Sequence, residues 1–416
     1  MICGSGNYLN YVFIKMNSNT SIVPRQCPVC LGEDKTKIFR QDFSSFSEGT
    51  LMNGYDLAVC RSCGAGFADN IPSQKIFDNY YTAMSKYEHS EMGGQLSEGR
   101  TKFHGEIADA ISPFVSRTEY ITDIGCATGG VLAEFKRRGF DNLQGMDPST
   151  ACCSTAKRLF EINVIPMTIS RLDEVTERFD VVMLTGVLEH IRDVEESIKA
   201  LIKLLKPAGR LVIVVPDASR YQECFSAPFQ FFSMEHVNYF APTSLSNLMA
   251  RHGLQEMLIK QTDGYLGPNS WEPVLIGVFK LHETNNNLME PICDTKSEPA
   301  LRAYIKKSRL QEQQIACIID EFVKSQVPLL VWGAGTHTLR LLEMGNLLKA
   351  NILAFIDSNP NYQGKKLHGK PILAPSECRD IDAEILISSQ VAEAEIKKYI
   401  ELDLKCNKKI HTLYGA

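Results

Sequence analysis

From Tyr120 onward the chain repeats one rhythm of strand, glycine turn and helix, an order that leaves few folds open to it. YITDIG reads as a strand and GGVLAEFKRRG as a helix. Lys136, Arg137 and Arg138 crowd the last turn of that helix, where its dipole favours cations, and Gly139 ends it. NLQGMD is the next strand, and a second helix opens at Pro148–Thr150. FDVVMLTG is a near-continuous apolar run, as expected for a strand buried on both faces. Ile191, Val194, Ile198, Leu201, Ile202 and Leu205 then recur at helical spacing, one buried stripe. KPAG stops the helix and RLVIVVPD supplies another buried strand. The alternation predicts a parallel, doubly wound α/β sheet. A second alternating block, from PLLVWGAG to the C-terminus, repeats the architecture but not the sequence.

At 416 residues the chain holds two or three domains, since a compact domain spans roughly 100–200. The pattern divides it into a loose tail over 1–24, a Cys-punctuated module over 25–90, the first α/β domain over 91–285 and the second over 299–416. Residues 282–298, rich in Asn and Pro, mark the boundary between the two α/β domains. With 44% hydrophobic and 22% charged residues the chain can bury real cores. A net charge of −5 gives no basic excess to hold a polyphosphate backbone. No apolar run approaches the roughly 18–20 residues that span a bilayer. Met1–Met16 is too short for a signal peptide and lacks a basic start and a cleavage site, and Met16 is an alternative start. The expected setting is cytoplasmic, with a small molecule as partner and neither nucleic acid nor membrane.

Four of the 13 cysteines form two tight pairs, Cys27/Cys30 and Cys60/Cys63, with 29 residues between them. Each CxxC turn presents two thiolates, and two such turns close a tetrahedral four-sulfur shell around Zn2+ with no open position. The expected role is therefore structural, and chelation should unfold the module without directly blocking chemistry elsewhere. Redox pairs or unligated thiols are the alternative, but the thioredoxin-like context is missing. The remaining cysteines are scattered, as small core hydrophobes are.

Asp123-Ile-Gly-Cys-Ala-Thr-Gly129-Gly130 lies where a strand turns into a helix. Gly125, Ala127 and Gly129 keep that turn free of bulk, so a ligand can approach the backbone and the free N–H groups of the helix start. Asp147 ends the next strand, where a carboxylate can hold both hydroxyls of a ribose. A tight turn beside a stray Asp would look the same in any α/β domain. The ordered series TDIGCATGG, GMDPS, FDVVMLTGVLEHIRD and LLKPAGRLVIVVPD, however, resembles the motifs of class I S-adenosylmethionine (SAM)-dependent methyltransferases over about residues 100–260. The resemblance implies a Rossmann-like domain in which the turn at Asp123, Gly125, Ala127 and Gly129 meets the methionine part of the cofactor. It also implies that Asp147 binds the ribose, and that Thr185–Glu189, including Leu188, lies near the reacting centre.

A loop after the fifth strand, FQFFSMEHVNYF, falls at the carboxyl edge of the sheet, where ligands bind. Its Glu235–His236 pair can supply a base. A histidine fixed in an aromatic cluster would read alike. The full layout, a four-Cys module, a SAM domain with an EHxxYF segment and a second Rossmann-like domain, resembles the sugar C-methyltransferases of deoxysugar pathways, which act on nucleotide-linked keto-sugars. That likeness implies that His236, assisted by Glu235, removes a proton beside the sugar ketone. It also implies a tyrosine from the segment after the module, with Tyr80, Tyr81 and Tyr87 as candidates. Tyr239 and the second turn, Gly333, Gly335 and Thr336 with Asp357 on the next strand, are the expected substrate contacts. His337 beside that turn reads as a surface residue or a phosphate contact. The chain departs from the family's YHEH by carrying Ser233 and Met234 before Glu235. An O- or N-methyltransferase, and a non-enzymatic zinc and Rossmann binding protein, are the competing readings.

Overall fold

A computed structural model describes residues 23–47, 50–83, 96–224, 226–267, 270–282 and 290–414. The expected tail up to residue 22, Tyr87 and the middle of the 282–298 boundary lie outside the described residues.

The first sheet is antiparallel, with β1 (Lys35–Asp42), β2 (Gly54–Cys60) and β3 (Gly66–Asp69) in sequence order. Its fourth strand, β9 (Asn238–Tyr239), comes from the middle of the chain and pairs Gly66 with Tyr239 and Phe67 with Asn238. The Cys-punctuated module is thus completed by the loop that carries Glu235 and His236. Helix α1 (Gln74–Ala83) follows β3, anchored by Phe77 and Tyr80, one helical turn apart on its buried face.

The second sheet has β4 (Ile121–Ile124), β5 (Leu143–Asp147), β6 (Asn163–Pro166), β7 (Phe179–Thr185), β8 (Leu205–Pro216), β10 (Leu254–Gly267) and β11 (Ser270–Leu281). Their spatial order is β10-β11-β8-β7-β4-β5-β6, and the five strands from β8 to β6 are parallel. Strand β11 runs antiparallel to both of its neighbours, β8 and β10, so the sheet is mixed at one edge, which the strand–helix rhythm did not foretell. Helices α2 (Glu98–Ile111), α3 (Gly130–Arg137) and α4 (Thr150–Phe160) cover one face, and α5 (Val194–Lys203) and α6 (Pro242–Arg251) the other. Strand β7 shows why both faces need cover: Val181 and Met183 enter one core, Val182 and Leu184 the other. Of the stripe read from the sequence, Val194, Ile198 and Leu201 are buried on α5 as expected. Ile191 lies before that helix and Leu205 opens β8, which already contains KPAG, so the helix ends at Lys203 and not at KPAG. Leu201→Ala should cost about 2–5 kcal/mol, read as a lower urea midpoint at unchanged slope.

The linker residue Asp294 accepts from Lys296 N and Ser297 N, starting the long helix α7 (Ser297–Ser325), and its own N–H donates to Cys63 O at 2.8 Å. The third sheet has the order β14-β15-β13-β12-β16-β17, from β12 (Leu329–Trp332), β13 (Ile352–Ile356), β14 (Lys366–Leu367), β15 (Lys370–Leu373), β16 (Glu384–Ile387) and β17 (Ile410–Thr412). It is parallel except for β14, with α8 (Thr336–Met344) and α9 (Glu393–Lys398) between strands. Among the described residues no helix is long and apolar enough to cross a membrane.

Candidate functional site

Strand order reverses between β4 and β7, and a parallel sheet opens a crevice at the carboxyl ends of its strands at such a point. A cleft lies there, lined by Ile124, Gly125, Asp147, Pro148, Gly186 and Val187 on the sheet side. The turn after β4 departs from ordinary backbone three times, at Gly125 (φ +73°), Ala127 (φ +48°) and Gly129 (φ +78°). Gly125 N donates to Met146 O at 2.7 Å, and a Cβ on Gly125 would meet Val187 Cγ2 at 2.6 Å, so no larger residue fits. Asp147 clasps the turn: Oδ2 accepts from Ala127 N at 2.8 Å and Oδ1 from Ser149 N at 2.9 Å. Asp147 also lines the cleft, so the same carboxylate is presented to a ligand there. Asp123 is buried behind the turn; burial, and secondarily the nearby Asp147, push its carboxyl well above the usual range. Met167 and Ile169, which follow β6, form an apolar wall that the sequence reading missed. Bare backbone, a carboxylate and an apolar wall fit an adenosyl ligand.

The opposite wall is built from three segments. From α1 come Gln74, Asp78 and Tyr81, from the loop after β7 comes His190, and from the segment before β9 comes Glu235. Ser233 Oγ accepts from both Glu235 N (3.3 Å) and His236 N (3.2 Å), which turns the segment; the serine that departs from the family pattern is its cap. Tyr80 Oη donates to Glu235 Oε1 at 2.9 Å, and Tyr81 packs edge-on against His190 at 5.7 Å. His236 packs edge-on against His190 from the other side, at 4.8 Å.

Asn238 locks these segments together, its Nδ2 donating to Leu188 O (2.8 Å) and Ile191 O (2.7 Å), while Val237 N donates to Glu189 O at 2.8 Å. Arg25, buried ahead of the first cysteine pair, donates to Ala68 O and Val237 O at 3.1 Å each and to Asn238 Oδ1 at 2.9 Å. Burial lowers its pKa to about 10, which still leaves it charged at neutral pH.

Several expected site residues lie elsewhere. Leu188 is fully buried in the core beneath the sheet, and the cleft is instead met by its neighbours Val187 and His190. Thr185 ends β7 with its Oγ1 buried. Tyr239, expected at the substrate, is 1% exposed; its hydroxyl pairs with Tyr55 Oη at 2.7 Å and donates to His236 O at 3.0 Å, inside the core. Its aromatic neighbours point inward for the same reason, to seal the module against the sheet. His190 was within reach of the sequence, in the LEH motif, whereas Arg25 carries no local signal.

The second turn reproduces the clasp of the first. Gly333 N donates to Ile356 O at 2.7 Å, and Asp357 accepts from Ala334 N and Asn359 N at 2.8 Å each. Gly335 caps α8 and has open space where a side chain would begin, and Thr336 starts that helix. His337 is not a surface residue: it is 8% exposed, shares a hydrogen bond of 2.6 Å with Tyr414 Oη, and burial lowers its pKa to about 3.

Cys27, Cys30, Cys60 and Cys63 converge at the edge of the first sheet, with Cys27 Sγ 3.6 Å from Cys63 Sγ and Cys30 Sγ 3.5 Å from Cys60 Sγ. None of the four is in a disulfide. A tetrahedron with metal–sulfur bonds of about 2.3 Å has edges close to these separations, so the residues fit a structural metal ion.

Comparison with known proteins agrees with this geometry. Residues 99–258 match a family model described as a methyltransferase domain, and residues 325–410 one described as C2185-like, N-terminal. The ubiquinone biosynthesis O-methyltransferase of Rhizobium etli (strain CIAT 652) is 30% identical over 127 residues, 29% of this chain and 49% of that protein. That of Bradyrhizobium sp. (strain ORS 278) is 35% identical over 96 residues, 22% of this chain and 37% of that protein. The chain thus spans half or less of the length of these curated relatives. Among solved structures, magnesium protoporphyrin IX methyltransferase from Synechocystis PCC 6803 aligns at 12% identity and a TM-score of 0.39, over 50% of this chain and all of that one. The N-methyltransferase NodS from Bradyrhizobium japonicum WM9 aligns at 18% identity and a TM-score of 0.37, over 49% of this chain and all of that one. Residues 99–258 thus match a methyltransferase domain and form the switched parallel sheet described above. They are followed, over residues 325–410, by a C2185-like domain.

Proposed function

We propose that the chain as a whole is a SAM-dependent methyltransferase that C-methylates a nucleotide-linked keto-sugar, with Zn2+ held structurally by its four clustered cysteines. One observation carries this reading: Asp147 and Gly125 on one wall, and Glu235 and His190 on the other, share a single cleft. SAM, when bound, supplies a methyl group on a sulfonium, an electrophile that needs only an aligned nucleophile. Asp147 receives the ribose hydroxyls, Gly125 and Gly186 admit the ligand to the backbone, and Met167 and Ile169 flank the adenine. The Glu235–His236 pair takes the proton from the carbon beside the ketone. Tyr80, held on Glu235, and Tyr81 position the acceptor. Gly333, Gly335 and Thr336, with Asp357, take the nucleotide of the acceptor sugar.

O-methylation is the second reading, supported by the names of the curated relatives and by Ser233 in place of the family's tyrosine. Product made with 13C-methyl SAM separates the two by NMR, because carbon-bound and oxygen-bound methyls resonate far apart. His236→Ala should lose turnover by about 10²–10⁴-fold, the usual worth of a positioned base, while calorimetry finds SAM affinity unchanged. Undiminished turnover in that variant would remove the pair from the reaction.

A further inference from the structure

The three side chains Glu189, His190 and His236 offer donor atoms that all lie within 4.8 Å of one another, and His190 among them lines the cleft opposite Asp147. One of those contacts is informative about charge. His190 Nδ1 lies 3.0 Å from the backbone oxygen of Glu235, and a carbonyl only accepts, so Nδ1 carries the hydrogen. In a neutral ring the lone pair is then on Nε2, which faces Glu189 Oε1 at 3.7 Å. That nitrogen can therefore ligate a cation held beside the buried Glu189 carboxylate.

The surroundings have the form of a metal site. A ligating histidine usually donates its other ring nitrogen to a carbonyl or carboxylate, which fixes the tautomer, and His190 does this toward Glu235. The two segments that supply the donors are pinned to each other by Asn238 and by Val237 N on Glu189 O. Bonds of about 2.1 Å bring neighbouring donors to roughly 3–3.5 Å apart, so little closure is required. Two imidazoles and one carboxylate suit Mn2+, Fe2+, Co2+ or Zn2+ and leave coordination positions open.

We propose that Glu189, His190 and His236 bind one divalent transition-metal cation at the acceptor end of the cleft, separate from the four-cysteine cluster. The cation's open positions face the side of the cleft where, on the function proposed above, a keto or hydroxyl oxygen of the acceptor arrives. His236 then contributes by holding the cation, and Glu235 remains the proton acceptor of the pair.

The test is titration of Mn2+ into the full chain with its thiolate-bound metal in place, following the free-ion signal by electron paramagnetic resonance. Manganese is a poor competitor for thiolates, so it reports the nitrogen and oxygen site. One Mn2+ per chain is expected, with affinity at least tenfold lower in Glu189→Gln and in His236→Ala and the thiolate metal content unchanged. Should the buried Glu189→Gln fail to fold, as judged by its melting curve, the half-buried loop variant His236→Ala decides. Failure of the wild-type chain to bind Mn2+ or Co2+, or equal binding by the folded variants, overturns the site in favour of an imidazolium–carboxylate pair. Calorimetry with SAM on the same sample keeps the two ideas apart. SAM binding without cation binding sinks the metal site alone, and absence of SAM binding sinks the reading of the cleft.

Discussion

Stripping the metal from the four-cysteine cluster should abolish turnover as well as unfold the N-terminal module. Read from sequence, the cluster is remote from chemistry, and its loss would leave the reaction intact. The fold reverses that expectation. Cys60 ends β2 and Cys63 precedes β3, and β3 is the strand on which β9 hangs, through Gly66–Tyr239, Phe67–Asn238 and the Ala68 N to Val237 O bond at 2.9 Å. Glu235, which lines the cleft, and His236 beside it sit just before β9, so this part of the wall is only as ordered as β3. Structural zinc contributes roughly 10–16 kcal/mol of apparent binding energy in small modules, far more than this short sheet could replace by packing. The cluster also receives Asp294 N on Cys63 O, which ties in the start of α7. Chelation, or Cys30→Ser, should therefore bring turnover below detection and release amide protons of β2 and β3 to rapid exchange. SAM affinity should fall by less than about tenfold, because Gly125 and Asp147 belong to the second sheet with its own two cores. Metal-free protein that is folded and fully active would refute this coupling.

What could be read in advance was whatever the chain writes locally. The alternation of apolar runs with glycine turns fixed the parallel strands, because each strand's burial on both faces shows in its own residues, as in Val181–Leu184. The two CxxC turns and the place of Asp147 at a strand end were legible because such residue types have few other uses at such spacing, whereas the clasp of Asp147 on Ala127 N and Ser149 N was not. The rest depended on distant pairing. Strand β9 is two residues long and joins a sheet whose other strands lie some 170 positions earlier, so nothing local announces it. Tyr239 looked like a pocket wall because aromatic residues serve both walls and cores, and only the tertiary contact with Tyr55 decides between them. His337 was misplaced for the same reason, its cover being Tyr414 at the far end of the domain. The antiparallel hairpin of β10 and β11 escaped because strand direction is set by the connection, not by composition.

Asp147→Ala should weaken SAM binding by about a hundredfold or more, the largest single-residue effect expected on the cofactor. The carboxylate does two things at once. It accepts Ala127 N and Ser149 N, holding the turn in its left-handed shape, and it lines the cleft, where on the proposed function it accepts from the ribose. Hydrogen bonds to a charged group are worth about 1.5–3 kcal/mol each, so loss of two to the ligand alone is a factor of at least ~10². Freeing the two backbone N–H groups costs a further ~1–3 kcal/mol each in the folded state where they are buried, which a melting curve reads independently of ligand. Asp147→Asn should recover little, because the amide nitrogen it introduces must face one of those two donors. The second domain supplies the control. Asp357 makes the same clasp on Ala334 N and Asn359 N, so Asp357→Asn carries the same local cost with no part in the first cleft. Calorimetry should therefore find SAM affinity intact in Asp357→Asn and lost in Asp147→Asn. Equal affinities in the two would mean that the first turn is a structural bend and that the ribose is held elsewhere.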